Sequence, residues 1–229
     1  MNAVDHTPIY SLTPFTLLDY PDKTACIIWF AGCNMRCSYC YNPEIVTSKG
    51  KLSFEEVAVF LRKRINLIDG VVLSGGECTS NKDLPQFART IKKIGMNIKL
   101  DTNGSNPKMI QQLIDEQLID YIALDFKATN QKFNIITNSK LVSRFEKTLD
   151  LLLDSQFKFE VRTTVHENLL SKKDIDEMIA FLIKKGYQGS YFLQQFVNNT
   201  PTIGNLGYSR NSLQQSDFSD SKIKVFVRN

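Results

Sequence analysis

The chain has 229 residues, of which 42% are hydrophobic and 23% are charged, proportions that are ordinary for a globular protein in water. Its net charge is only +4, and its basic residues form short pairs, so nothing in the composition demands a nucleic-acid partner. No apolar stretch approaches the length of a membrane span, and the first residues lack the pattern of a secretory signal. We therefore expect a cytoplasmic protein without membrane or nucleic-acid partners.

From residue 24 onward, segments with strand character alternate with segments of helical periodicity. Ser53 and Glu56 have the spacing of a capping box, which predicts the start of one helix. Strands followed by helices at this rhythm predict parallel βα units. The predicted strands are 24–30, 71–73, 97–101, 121–126, 157–165 and 190–196, and the further predicted helices are about 84–94, 107–116, 141–153 and 172–184.

Six βα units are too few for the usual closed barrel of eight strands. We therefore predict an α/β fold with an open, partial (β/α)6 barrel and short extensions at both ends. The whole chain, 1–229, is expected to be a single domain with its core at about 22–196. Residues 197–229 are predicted to be a polar surface loop followed by a short strand at 223–227.

Three cysteines, Cys33, Cys37 and Cys40, have the spacing C-x3-C-x2-C directly after the first predicted strand. Three thiolates on one loop can hold three irons of a cubane iron–sulfur cluster and leave the fourth iron open to a small molecule. The alternative is a structural zinc ion, which usually needs four ligands. The candidates for the fourth ligand, none of them at zinc-finger spacing, are Cys26, Cys78, His6 and His166. Without a secretory signal, such a cluster of cysteines indicates metal binding in a reducing compartment.

Polar residues follow the C-terminal ends of successive predicted strands. Parallel α/β folds bind their ligands at that edge, so these residues together predict a binding site. Individually they are ordinary, since the segment 101–104 alone could be a cap between a strand and a helix. The residues are Gly75, Gly76 and Glu77, then Asp101 and Asn103, Asp125 and Lys127, Arg162, and Gln195.

The cysteine loop and this second group of residues resemble the motifs of the radical S-adenosylmethionine (SAM) enzymes. Tyr39 is the aromatic residue before the last cysteine, and the stretch 75–77 resembles the family's second motif. Within the family, the chain is most similar to the activating enzymes of glycyl-radical enzymes, especially those of anaerobic ribonucleoside-triphosphate reductase. The segments that carry this likeness are 13–24, 30–37, 41–44, 100–104 and 124–128.

The resemblance implies a [4Fe–4S] cluster on Cys33, Cys37 and Cys40, with SAM bound at the open iron. Reductive cleavage of SAM would give a 5′-deoxyadenosyl radical, which would abstract hydrogen from a glycine Cα of the partner enzyme. The implied partners are anaerobic ribonucleotide reductase and an electron donor of the flavodoxin or ferredoxin type. An open iron also implies work under low oxygen.

The resemblance further assigns residues to the methionyl end of SAM. Gly75 and Gly76 would allow the backbone to approach the ligand closely, and Glu77 would accept a hydrogen bond from the methionyl ammonium group. Lys127 would pair with the methionyl carboxylate.

The remaining implied contacts concern the ribose, the adenine and a cation. Asp101 and Asp125 would meet the ribose or a monovalent cation beside the cofactor, and Tyr39 would line the adenine pocket. Arg162 would complement carboxylate charge, or form a structural ion pair. Two amides, Asn103 and Gln195, complete the expected SAM site, and no catalytic side chain is assigned.

The chain departs from the family pattern at Cys78, where relatives usually have proline, and we expect this thiol to be structural. Two alternative functions stay open. One is a radical SAM enzyme acting on a small molecule, similar to the 7-carboxy-7-deazaguanine synthases. The other is a non-catalytic binding module stabilised by zinc.

Overall fold

The computed structural model describes residues 7–210, 212–219 and 221–228, with the side chains of residues 130 and 131 left aside. His6 and the rest of the first six residues, on which the expectation of a missing signal peptide partly rests, lie outside this range. The described chain forms two compact units. The first unit is Met1–Asn34, Glu44–Thr102 and Lys108–Ile122, and the second is Met35–Pro43, Asn103–Pro107 and Ala123–Asn229. The single domain stays a prediction.

Strands and helices alternate over most of the described chain. The strands are β1 Ile9–Thr16, β2 Ala25–Phe30, β3 Gly70–Gly75, β4 Asn97–Thr102, β5 Tyr121–Asp125, β6 Phe159–Val165, β7 Ser190–Gln195 and β8 Lys224–Arg228. The helices are α1 Pro43–Thr47, α2 Phe54–Arg62, α3 Leu84–Ile94, α4 Pro107–Asp115, α5 Asn130–Thr137, α6 Val142–Ser155 and α7 Lys172–Lys184. Short 3-10 turns lie at Cys78–Ser80 and Gln215–Phe218.

The six strands and five helices predicted for residues 24–196 are all present, with ends that differ by at most three residues. The short strand expected at 223–227 is β8. Three elements were not predicted: β1, α1 and α5.

In the first unit, β1 pairs antiparallel with β2, while β2, β3 and β4 are parallel neighbours in sequence order. The parallel strands are almost wholly buried, as continuous apolar runs in α/β folds usually are. Phe30 on β2 packs against Phe54 and Phe87, whose rings are stacked with centroids 4.2 Å apart. The Ser53–Glu56 capping box forms and begins α2, so that local prediction is confirmed.

The segment between β1 and β2 carries part of the family resemblance, and its buried member is Tyr20. The ring of Tyr20 packs with Ala25, Ile27 and Val72, and a Cβ atom on Gly70 would lie 3.0 Å from it. Because Ala25 and Gly70 begin β2 and β3, Tyr20 covers the end of these strands that lies away from the cysteine loop.

In the second unit, β6, β7 and β8 are parallel neighbours. Phe126, just after β5, stacks on Phe145 of α6 and also contacts Phe181 of α7. A second capping box, Ser171 with Asp174, begins α7. Across the part of the chain that is described, no helix is both long and apolar enough to cross a membrane.

Candidate active site

The cysteine loop joins β2 to α1, and its three cysteines fall in both units. Cys33 belongs to the first unit, whereas Cys37 and Cys40 belong to the second. All three thiols are free of disulfides; Cys37 is buried and the others are partly exposed. Burial raises the pKa of the Cys37 thiol, and the nearby Lys127 ammonium only partly opposes this.

The described residues contain no group of three or more His, Cys, Asp or Glu side chains placed to hold one metal ion. A cubane cluster makes a different demand, because each thiolate binds a separate iron instead of converging on one ion.

In the first unit, Gly75 and Gly76 bring the end of β3 against the backbone that leads into the cysteine loop. The N–H of Gly76 donates to Phe30 O at 2.8 Å, and the N–H of Glu77 donates to Gly32 O at 2.9 Å. A Cβ atom on Gly76 would lie 1.9 Å from Gly32 O. Gly75 has a φ of +112°, and its Cβ atom would lie 2.5 Å from the backbone of Phe30. The absence of a side chain at Gly75 and Gly76 therefore has a structural explanation in this unit: it allows the backbone at the end of β3 to approach the backbone of Phe30 and Gly32.

Glu77 is buried, and its carboxylate organises the loop after β3. Its Oε1 accepts hydrogen bonds from the N–H and hydroxyl of Thr79, at 3.2 and 2.5 Å, and from the Thr102 hydroxyl at 2.8 Å. The carboxylate therefore ties the end of β3 to the end of β4.

Cys78 is fully buried next to Glu77. Its Sγ lies 3.4 Å from Asp101 O and 3.8 Å from Leu73 O. Burial first, and then the neighbouring carboxylates of Glu77 and Asp101, raise the pKa of this thiol. A buried protonated thiol bonded to strand carbonyls fits the structural role expected for Cys78. Cys26 is likewise buried on β2, where burial raises its pKa to about 12.

Asp101, at the end of β4, has a cationic partner that sequence reasoning missed. Lys99 Nζ lies 2.5 Å from Asp101 Oδ1, and the Ser74 hydroxyl donates to Asp101 Oδ2 at 3.1 Å. Lys99 is only 1% exposed. The available signal was its position: two residues before Asp101 in a strand, so that both side chains lie on the same face.

In the second unit, the cysteine loop is held by the C-terminal end of α5. The N–H of Arg36 donates to Thr137 O at 2.8 Å, and the N–H of Ser38 donates to Ile136 O at 2.9 Å. The last carbonyls of a helix have no partner within the helix, so α5 offers them to the loop that carries Cys37.

The C-terminal segment, residues 196–210, also lies on this loop. The N–H of Ile203 donates to Cys40 O at 3.1 Å, and the N–H of Gly204 donates to Ser38 O at 2.8 Å. A Cβ atom on Gly204 would lie 2.7 Å from Ser38 Cβ, so only glycine permits this approach. The segment expected to be a surface loop thus supports the part of the loop around Cys40.

An ion-pair network lies at the ends of β5 and β6 in the same unit. Asp125 Oδ2 is 3.2 Å from Lys127 Nζ, and Asp125 Oδ1 is 3.1 Å from an Arg162 guanidinium nitrogen. Burial alone would lower the pKa of Lys127, but the pKa is raised, chiefly because the Asp125 carboxylate lies beside the ammonium group and accepts its hydrogen bond. Lys127 therefore stays an ammonium group.

Tyr39 is buried beside this network. Lys127 Nζ lies 5.5 Å from the centroid of its ring, and among the described residues the Tyr39 hydroxyl has no hydrogen-bond partner of good geometry. A buried hydroxyl without such a bond, next to a partly buried cation, is consistent with a surface completed by a polar ligand.

The remaining predicted residues are placed as follows. The Asn103 side chain accepts from the N–H of Ser105 at 2.9 Å, which is the turn-capping role considered for this segment. Gln195 is partly buried at the end of β7. His166 is fully buried, with Nε2 3.0 Å from Gly207 O and Nδ1 accepting from the N–H of Asn168, a structural arrangement.

Comparison with known proteins identifies the family. The model of the radical SAM superfamily matches residues 27–189. A Methanocaldococcus jannaschii protein named as a glycyl-radical enzyme activating enzyme is 32% identical over 195 residues, 82% of this chain and 79% of that protein. The pyruvate formate-lyase-activating enzyme of Clostridium pasteurianum is 26% identical over 183 residues, 77% of this chain and 76% of that enzyme.

Among solved structures, SuiB of Streptococcus suis bound to S-adenosylmethionine matches 89% of this chain with a TM-score of 0.69 at 14% identity. The chain covers 52% of SuiB, so it spans about half the length of that protein.

The chain belongs to the radical SAM superfamily. Its relatives place it with the enzymes that activate glycyl-radical enzymes, and the predicted α/β fold with a parallel sheet, consistent with a partial barrel, is confirmed. Enzymes of this family use a [4Fe–4S] cluster and SAM, and the alternative of a non-catalytic zinc module is thereby set aside.

The residues of this chain fit those two cofactors. Its only three clustered cysteines lie on one loop, and the other two are buried thiols whose pKa is raised by burial. Beside Cys37, the partly buried Lys127 ammonium group and the buried Tyr39 hydroxyl can donate hydrogen bonds to a carboxylate ligand. The monovalent cation that the resemblance implies fits less well, because both carboxylates assigned to it already have cationic side-chain partners.

Proposed function

We propose that this chain activates a glycyl-radical enzyme, and that its partner is anaerobic ribonucleoside-triphosphate reductase. Cys33, Cys37 and Cys40 hold the [4Fe–4S] cluster. When bound, the cluster would supply the electron for reductive cleavage of SAM to methionine and a 5′-deoxyadenosyl radical, which would take a hydrogen atom from a glycine Cα of the reductase.

One observation supports the class of substrate more than any other. Two relatives named as activating enzymes match along more than three quarters of their own length, so the likeness extends well beyond the cysteine loop. The choice of reductase rests on the resemblance of residues 13–24 to the activating enzymes of anaerobic ribonucleoside-triphosphate reductase. Tyr20 in this segment covers the ends of β2 and β3 that lie away from the cysteine loop.

The chain's own residues bind and orient SAM in this proposal. Lys127 is a persistent ammonium group that pairs with the methionyl carboxylate, while Asp125 holds Lys127 and Arg162 in place. Glu77, with its Oε1 fixed by threonines, presents its carboxylate to the methionyl ammonium group. Tyr39, Asn103 and Gln195 complete the nucleoside side, and Gly75 and Gly76 set the position of the loop.

The setting follows from the chemistry. An iron open to SAM reacts with oxygen, so in this proposal the protein works under low oxygen, and its free clustered cysteines suit the reducing cytoplasm. The electron comes from a flavodoxin or ferredoxin.

The proposal is tested by mixing the reduced, reconstituted protein with SAM and the reductase and recording the electron paramagnetic resonance spectrum. We expect a glycyl-radical doublet on the reductase together with 5′-deoxyadenosine in solution. The Cys37→Ala variant should abolish both signals. The Cys26→Ala variant removes a buried thiol from β2, outside the cysteine loop, and serves as the matched control that keeps both.

Two results would contradict the proposal in different ways. Formation of 5′-deoxyadenosine without a radical on the reductase would exclude that partner and favour a small-molecule substrate. Retention of both signals in the Cys37→Ala variant would refute the assignment of the cluster ligands.

A further inference from the structure

Lys99 is a charged residue that the family resemblance did not assign to the site. Among such residues in the described part of the chain, it is the most deeply buried. It is 1% exposed and lies in the middle of β4, where it faces the same side as Asp101. Burying an ammonium group is unfavourable unless a counter-charge is close. Asp101 Oδ1, at 2.5 Å, is that counter-charge.

Asp101 is therefore occupied on both oxygens within its own unit. Ser74 on β3 donates to Oδ2 at 3.1 Å while Lys99 holds Oδ1. This arrangement follows from the strand register, because Leu73 is paired with Leu100 and the next residues along the two parallel strands are Ser74 and Asp101.

Asp125, in the other unit, is likewise a carboxylate that is already paired with cationic side chains. It lies between Lys127 at 3.2 Å and Arg162 at 3.1 Å. Neither of the two carboxylates assigned to a monovalent cation carries an uncompensated charge. A further cation at either one would meet a fixed positive side chain within hydrogen-bond distance of the same carboxylate.

We propose that Lys99 supplies, as a built-in ammonium group, the positive charge that a bound sodium or potassium ion would otherwise provide beside SAM. An ammonium group and an alkali ion both carry one positive charge, and both bind carboxylate and hydroxyl oxygens. Lys99 is thus a positioning residue that holds Asp101 for the cofactor, and the protein binds SAM without any alkali-ion requirement. This inference rests on the proposed place of Asp101 in the SAM site.

The test compares SAM binding in buffers of equal ionic strength made with choline chloride, sodium chloride or potassium chloride. Equilibrium dialysis of the reconstituted protein gives the Kd, and the melting temperature of the cluster-free protein in each salt gives a readout independent of catalysis. For the wild type, we expect Kd values within about twofold of one another in the three salts and the same melting temperature.

The Lys99→Met variant keeps an unbranched side chain of similar volume, one heavy atom shorter, and removes its charge. It should bind SAM about tenfold more weakly in choline, which is a typical size for coupling between two bound groups, and recover with sodium or potassium. Those ions should also raise the melting temperature of the cluster-free variant. Lys93→Met, which removes an exposed lysine from α3, is the matched control and should behave as the wild type.

The possible results distinguish failure of the inference about Lys99 from failure of the proposed function. A wild type that binds SAM only with sodium or potassium would overturn the inference even if the Lys99 variant does not fold. A folded Lys99→Met protein with unchanged affinity in every salt would overturn it too. Absence of SAM binding in all three salts would instead refute the proposed function.

Discussion

Gly76 offers the sharpest test of how the loop after β3 supports the cysteine loop. Its φ is not in the left-handed region, so an alanine there meets no backbone strain. The difficulty is space. The new Cβ atom would lie 1.9 Å from Gly32 O, 2.6 Å from Gly32 C and 3.3 Å from Cys33 N. These are backbone atoms, so they cannot move aside as the end of a side chain can.

The cost of Gly76→Ala can be estimated from the contacts that must change. Overpacking in a well-packed region costs about 1–3 kcal/mol. Separating the two segments also weakens the hydrogen bonds from Gly76 N to Phe30 O and from Glu77 N to Gly32 O, each worth about 1 kcal/mol. We therefore expect the free energy of unfolding to fall by about 3–5 kcal/mol. For a chain of this size the melting temperature should fall by about 6–20 °C.

Alanine variants of two other glycines serve as controls, because they show what replacing a glycine costs when no backbone atom is in the way. Gly95 ends α3 with a φ of +91° but has open space around its Cβ position, so its alanine variant should lose only the strain energy of about 1–2 kcal/mol. Gly207 has no positive φ, and no heavy atom of the described residues lies within 4 Å of its Cβ position, so its alanine variant should stay within about 0.5 kcal/mol of the wild type.

The assay is urea unfolding of the three cluster-free variants under reducing, anaerobic conditions, followed by iron analysis after reconstitution. Gly76→Ala should bind less iron than the other two, because the displaced atoms are the backbone of Gly32 and Cys33. The reasoning is refuted if Gly76→Ala loses no more stability than Gly95→Ala. Normal iron content in a clearly destabilised Gly76→Ala protein would refute the link to the cysteine loop.

Three further predictions concern other parts of the molecule. Cys78→Ala should lose about 1–2 kcal/mol of stability yet still cleave SAM, as measured by 5′-deoxyadenosine formation; loss of cleavage would show that the thiol is functional. Gly204→Ala should release iron faster to a chelator, because its Cβ atom would collide with Ser38; an unchanged release rate would contradict the supporting role of the C-terminal segment. Burial opposes ionisation of Asp174, but hydrogen bonds from Lys132 and Ser171 outweigh it and lower the carboxyl pKa. A lowered folded-state pKa stabilises the protein above the unfolded pKa near 4 and loses this effect as the pH falls through the folded value. Asp174→Asn should therefore cost about 1 kcal/mol at pH 7 and progressively less as the pH falls below about 4, as measured by urea unfolding; an equal cost at every pH would contradict this explanation.

Local signals predicted most of the fold. The capping box at Ser53 and the alternation of apolar strands with amphipathic helices act over a few residues, so they are visible in the sequence. Two of the three missed elements, β1 and α5, lack such signals. β1 contains Pro14 and takes its place through antiparallel pairing with β2, and the N-cap residue of α5, Thr129, makes no side-chain capping hydrogen bond.

Only part of the candidate site was predicted, again because local signals are visible in the sequence and contacts between distant residues are not. Its cysteines and its glycine-rich turn follow directly from motif spacing. The supports of those motifs depend on contacts between distant residues: the N–H of Val197 donates to the Tyr41 hydroxyl across 156 positions of sequence, and Gly204 meets Ser38. No local pattern distinguishes such a glycine from one in an ordinary polar loop.

Lys99 shows where pattern reasoning fails and why the failure is informative. A lysine in a strand usually lies on a solvated face, so period-two alternation would assign it to solvent and its neighbours to the core. β4 is buried at residues 98, 99 and 100, so alternation carries no inside–outside information there, and only the partner identifies the role of the lysine. Because Asp101 lies two residues along the same strand face, a buried cation and a predicted ligand carboxylate are joined by strand geometry alone. A methionine would fill a similar volume without the cost of burying a charge, so the proposed role of Lys99 rests on its charge and on its contact with Asp101.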